Sequence, residues 1–265
     1  MFMDINLSIL TRPLVLIPAL AMYPQGVLNT LGVPSVVQVY LIFTIFAVVS
    51  MSIVSIIENR FYLLFAKHTW WRYSRYPLLF LNYLVAFSYF IPALSRVPDQ
   101  TEAFASLLEN FPNIAISIDS ESIFIFSLDL YYMFLSVFLT GVFTVSQINI
   151  FCFLLCVNMR KLSRQKMLFP KTYKLKKTFL ITIVIQIFTP LIVMFGPVTY
   201  LDLCLIFNYY NQVTNNICII LISLHGWVSA IVMLFIHEPY RKFCINLLSY
   251  RSFRKKMMSV SFLSP

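Results

Sequence analysis

The chain is predicted to be all-α and polytopic, a bundle of helices built to live in a membrane. Three observations lead there. Sixty percent of the 265 residues are hydrophobic and 11 percent are charged, which is more apolar surface than one soluble core of this length can hide. The apolar residues gather in runs long enough to cross a hydrocarbon core, a crossing that takes roughly 20 helical residues. Those runs are apolar all round and lack the strict alternation of a transmembrane strand, so helices rather than a barrel are expected.

Six runs qualify, near 7–28, 36–57, 77–95, 130–157, 178–200 and 212–236, followed by a tail at 239–265. The first is the odd one, with no basic cluster in front of it and Arg12 inside it. An unpaired arginine in hydrocarbon costs a few kcal/mol, roughly 3 on insertion scales. Pro13, Pro18, Pro92, Pro190 and Pro197 lie within or at the ends of these runs, where neighbouring helices can satisfy the carbonyls that proline frees. Ahead of the fourth run, "SIFIFSLD" (122–129) partly alternates and is expected to be extended, packing over the bundle mouth.

The net charge of +10 suggests nucleic acid until it is mapped. Of 20 Lys and Arg, four lie at 60–75, eight at 160–177 and six at 241–256, each cluster beside an apolar run. Short basic loops stay on the cytoplasmic side during insertion, with anionic headgroups as their partner. The segment 96–129 carries six acids against Arg96 alone and is expected outside. The charge is a topology record, the bilayer is the partner, and nucleic acid is not.

Catalytic chemistry has no constellation here. His68, His225 and His237 are dispersed, "HEPY" lacks a second histidine four residues on, and no glycine-rich phosphate loop occurs. His225, inside the last run, reads as a polar contact between helices. Cys152, Cys156, Cys204, Cys218 and Cys244 lack metal spacing and pairing. No enzyme activity, metal or cofactor is implied. After Pro239 the tail spaces Phe243, Leu247 and Tyr250 at helical intervals with bases between them, a pattern for a short amphipathic helix on the inner leaflet. Cys244 on that helix is a candidate for palmitoylation, a bare membrane-facing thiol being an equal reading.

Glu58, Asn59 and Arg60 arrive together where the second run ends. From charge alone they read as a helix stop and a basic anchor. "ENRFY" at this place, however, resembles the nematode seven-transmembrane chemoreceptor family called serpentine receptor class H, in which it stands where rhodopsin-like receptors carry acid–Arg–aromatic. "PALAMYPQG" (18–26), "GVPSVVQVYL" (32–41), "LNYLVAFSYFIP" (81–92), "VPDQ" (97–100) and "HGWVSAIVMLFIHEPYR" (225–241) recur in that family's order. Arg12 and Glu238 depart from its pattern.

The resemblance implies six spans of a seven-transmembrane, GPCR-like plan, the stretch similar to "PALAMYPQG" closing helix two and helix one being absent. It implies a chemosensory receptor in the plasma or ciliary membrane of sensory neurons, taking a small environmental ligand outside and a heterotrimeric G protein inside. Glu58, Asn59, Arg60, His237, Pro239, Tyr240 and Arg241 would face the G protein. A ligand needs convergent polar groups in an apolar cavity, and the outward halves of the runs offer Gln38, Tyr89, Tyr131, Tyr132, Asn211 and Asn215. A non-signalling receptor fragment stands as the alternative, and a transporter or channel stands further off.

Overall fold

The structure is a computed structural model that describes residues 2–110, 123–127, 130–164, 170–236 and 241–246. It is a helical bundle with a small sheet at one end. Among the described residues the long helices are α3 (Ser35–Phe61), α4 (Trp71–Ser88), α7 (Leu130–Arg164), α8 (Pro170–Ile206) and α9 (Gln212–Ile236). Short helices α1 (Phe2–Ile5), α2 (Val27–Thr30), α5 (Ile91–Leu94) and α6 (Gln100–Asn110) connect or cap them. Four stretches among the described residues are long and apolar enough to cross a membrane, Ser35–Ala66, Trp71–Leu94, Tyr131–Lys161 and Gln212–Ile236, with a shorter apolar stretch at Leu191–Ile206.

The expected span near 7–28 is not a transmembrane helix. A π-helical turn over Asn6–Leu10 leads into β1 (Pro13–Leu16) and β2 (Ala21–Pro24), an antiparallel hairpin. The reason is in the sequence. Pro13, Pro18 and Pro24 each lack the N–H a helix needs, at a cost of about 3 kcal/mol per helix-interior proline. One proline is tolerated in a span; three within a dozen residues hand the segment to a strand ladder that does not need those donors. Arg12 consequently lies exposed at the turn into β1, not inside a span.

β3 (Phe124–Ile125) pairs antiparallel with β2 to complete a sheet of order β1-β2-β3. Phe124, Ile125 and Phe126 are buried, so the expected extended segment over the bundle end is present. Gln100 clamps it, its amide accepting from the Ile125 N–H (3.0 Å) and donating to the Ile125 carbonyl (3.1 Å). Gly26 closes the hairpin onto the π-helical turn, where a Cβ would overlap the backbone of Leu10 and Thr11. Only glycine permits that approach.

α4 stops at Ser88 because Pro92, four residues on, has no N–H to give its carbonyl. Asp99 begins α6 as an N-cap, its carboxylate accepting from the Thr101 N–H at 2.9 Å and the Glu102 N–H at 3.4 Å. Those bonds hold its carboxyl below the usual carboxylate range.

One apolar core joins the elements. Met3 and Leu7 from the N-terminal turns, Val39, Val54 and Ile57 from α3, Phe151 from α7, Met194 and Leu201 from α8 and Ile222 from α9 are all buried in it. α3 packs on α4 and α7, α8 packs on α9, and α1 wedges against α9 and α3.

Candidate functional site

Polar side chains are few in so apolar a chain, and the structure gathers them at two ends and one waist. α3 runs from the sheet end to the opposite end, where Glu58 closes it. The Glu58 side chain is 1% exposed. One carboxylate oxygen accepts from Trp71 Nε1 at 2.7 Å and the other from Arg75 Nη2 at 3.1 Å. The same Nη2 donates to Asn59 Oδ1 at 3.1 Å, and the guanidinium lies 4.1 Å from the centre of the Tyr62 ring.

The sequence builds this cluster by register. Trp71 and Arg75 are four residues apart and so share the face of α4 turned toward α3. Tyr62 opens a π-helical stretch, Tyr62–Ala66, that extends α3 beyond Phe61. Such stretches are rare and gather at functional sites. Phe61, Trp71 and Phe151 meet at centroid distances of 5.8 to 6.3 Å and wall the carboxylate from solvent. A buried carboxylate survives when it is paired and hydrogen-bonded on both oxygens, and this one is.

Glu58 is therefore enclosed between helices, while Asn59 and Arg60 are half-buried at the rim. Arg241 is exposed, its Nη1 donating to the Phe235 carbonyl at 3.4 Å. His237, Pro239, Tyr240 and Glu238 lie outside the described residues, as does most of the tail. Residues 241–246 are helical there, with the Cys244 thiol unbridged and half-buried.

At the sheet end, Asn215 is buried and donates to the Ile17 carbonyl at 3.2 Å. Gln212 donates to the Val15 carbonyl (3.1 Å) and to Asn216 Oδ1 (2.8 Å). Two amides of α9 thus seat the hairpin. Asn211 caps α9, accepting from the Thr214 N–H at 3.2 Å. Gln38 is buried on α3 and donates to the Val33 carbonyl at 2.9 Å. Tyr89 donates to the Phe43 carbonyl at 2.8 Å. Gln38 Oε1, Gln212 Oε1 and Asn215 Oδ1 in this region are buried with no hydrogen-bond partner among the described residues, as are both side-chain amide atoms of Asn6 in the adjoining π-helical turn.

The two remaining candidates turn away from this group. Tyr131 is 62% exposed, stacking edge-on with Tyr132 at 5.3 Å. Tyr132 carries the Arg96 guanidinium over its ring at 3.9 Å.

Sequence reasoning missed two polar pairs inside the bundle. Asn82 of α4 and Gln147 of α7 exchange reciprocal amide hydrogen bonds at 3.0 and 2.9 Å, both buried. Asn82 is the lone amide of its apolar run and Gln147 shares its run with Asn149, so the sequence marks both positions but not their pairing. His225 Nδ1 sits 3.3 Å from Asp4 Oδ1 and 2.9 Å from the Ile222 carbonyl. The histidine is an interhelical contact, as its position suggested. Trp71 and Arg75 were also missed, because nothing marks one arginine of a basic loop as inward-facing.

An all-round apolar bundle with polar clusters at its two ends and a paired amide waist is a multi-pass membrane protein of helical type. A family model described as "serpentine type 7TM GPCR chemoreceptor Srh" matches residues 1–250. The chain belongs to that family of chemoreceptors. No curated protein and no solved structure matched it.

Proposed function

We propose that this chain is a chemosensory receptor that takes a small environmental molecule at the sheet end of the bundle and couples to a heterotrimeric G protein at the Glu58 end. The family match over residues 1–250 carries the reading. The unpartnered acceptors of Gln38, Gln212 and Asn215 support the choice of end, since buried acceptors call for a donor. A ligand bearing a hydroxyl or amine, with an apolar body, suits them. Tyr89 and Asn211 flank that region, while Tyr131 and Tyr132 turn away from it and stand outside the proposed pocket. Sensory-neuron plasma or ciliary membrane is the location this role requires.

Arg60, with Asn59 beside it and Arg241 from the tail, forms the coupling face. Gln38 and Arg60 are separated by roughly 33 Å along α3, at 1.5 Å of rise per residue, too far for one small ligand to touch both. Arg60→Ala should therefore abolish ligand-stimulated nucleotide exchange on the G protein while surface expression and ligand binding persist. Normal exchange by that variant would reduce Glu58-Asn59-Arg60 to a topological anchor and remove the coupling face from the reading.

A further inference from the structure

The first turns of α4 divide their side chains between two environments. Trp71 and Arg75 turn inward to Glu58. Tyr73, Tyr76, Phe80, Leu84 and Phe87 are all exposed, and at 3.6 residues per turn they fall within an arc of about 80° on the outer face. Phe80, Leu84 and Phe87 belong to a membrane-crossing stretch, Trp71–Leu94, so this arc is the lipid-facing stripe. Tyr73 and Tyr76 continue the same stripe into the first turns of that stretch, at its terminus, where amphipathic rings sit at headgroup level. Trp70, 72% exposed, extends the belt by one more residue.

Two bases flank these rings. Arg72 is exposed, precedes Tyr76 by one turn, and holds its guanidinium 5.9 Å from the Tyr73 ring centre. Lys67 is exposed just before the helix. Glu58, the acid closest in sequence, is buried and occupied by Trp71 and Arg75, so it leaves the outer positive charge unneutralised. We infer that Lys67, Trp70, Arg72, Tyr73 and Tyr76 form a docking site for the headgroup of an anionic phospholipid. The two bases take the phosphate and headgroup charge, and the rings take the glycerol and upper acyl region. Continuity with the lipid stripe is what favours a lipid over a protein at this surface. The inference depends on the membrane class of the chain and not on its signalling role.

The test places the purified chain in nanodiscs containing brominated phosphatidylserine or brominated phosphatidylcholine and follows Trp70 fluorescence as the difference between the wild type and Trp70→Phe. Quenching by the serine lipid should exceed that by the choline lipid. Each base near an anionic surface is worth about fivefold, so Lys67→Gln with Arg72→Gln should reduce the preference roughly 30-fold. Lys67→Arg with Arg72→Lys, which keeps both charges, should retain it. Equal quenching in both lipids would overturn the site. So would an unchanged preference in the glutamine variant. Loss of G-protein capture by the glutamine variant in detergent, with lipid preference intact, would reassign the surface to the G protein.

Discussion

Arg75→Met is the sharpest perturbation of the Glu58 end. Glu58 is 1% exposed and Arg75 14%, so removing the guanidinium leaves a carboxylate in a nearly dry pocket with one partner, the Trp71 indole. Breaking a buried ion pair from one side costs about 3–5 kcal/mol. The surviving Trp71 bond at 2.7 Å and the partial exposure of Arg75 place the loss near the lower bound, about 3 kcal/mol. Glu58→Gln with Arg75→Met tests the cause. The introduced amide still accepts from Trp71 and carries no charge, so the double variant should return to within about 1 kcal/mol of the wild type, in line with the near-neutral replacement of other buried pairs. Equilibrium unfolding in bicelles reads both numbers. If Arg75→Met loses less than about 1 kcal/mol, or the double variant is no better than the single, the cluster is not held by its charges and the reasoning fails.

Further expectations follow from other contacts. Asn82→Leu should cost about 1 kcal/mol in the same assay by stranding the Gln147 amide, and Asn82→Leu with Gln147→Leu should recover most of it. Gly26→Ala forces a Cβ into the backbone of Leu10 and Thr11, so amide exchange across 13–24 should quicken by roughly 10- to 100-fold, matching about 1–3 kcal/mol of overpacking. The carboxyl of Asp99 is held low by the Thr101 and Glu102 N–H bonds. Its capping of α6 is thus complete above the ordinary carboxylate range and lost as pH falls through the lowered value. Protection of the Thr101 and Glu102 amides, relative to their intrinsic exchange at each pH, should fall as pH drops through that lowered value, and Asp99→Asn should flatten the dependence. Single-cysteine labelling of intact cells should mark position 105 from outside and leave 165 untouched; the opposite pattern would invert the topology.

How much of this was written in the sequence depends on which force decides each element. The spans at 36–57 and 212–236 were legible because a lipid solvent leaves a chain no choice but to satisfy its backbone internally. Their polar residues were legible as positions and not as pairs. Asn82 and Gln147 stand out in apolar runs, but their sequence separation hides that α4 and α7 bring them together. The N-terminal run misled for a different reason. Its apolar content satisfied a hydropathy window, while Pro13, Pro18 and Pro24 set the backbone. Composition says that a segment must be buried; donors and dihedrals say in what shape. The hairpin is buried among α9, α6 and β3, so the sheet end meets the burial demand without a helix.

Arg72 and Arg75 show why a basic cluster is more than a count of charges. Both lie in the loop whose four bases mark one side of the membrane, and as topology signals they are equivalent. Three residues apart on a helix, they differ by about 60° in direction. That angle separates a guanidinium stacked on Tyr62 and paired with Glu58 from one beside Tyr73 at the lipid face. α4 is rigid between them, so the two contacts are not independent. A rotation of α4 that withdrew Arg75 from Glu58 would also turn Tyr73, Tyr76 and Phe80 together away from their outward-facing position. The inner pair and the outer belt therefore resist the same motion, and a change that stiffens one should raise the cost of opening the other.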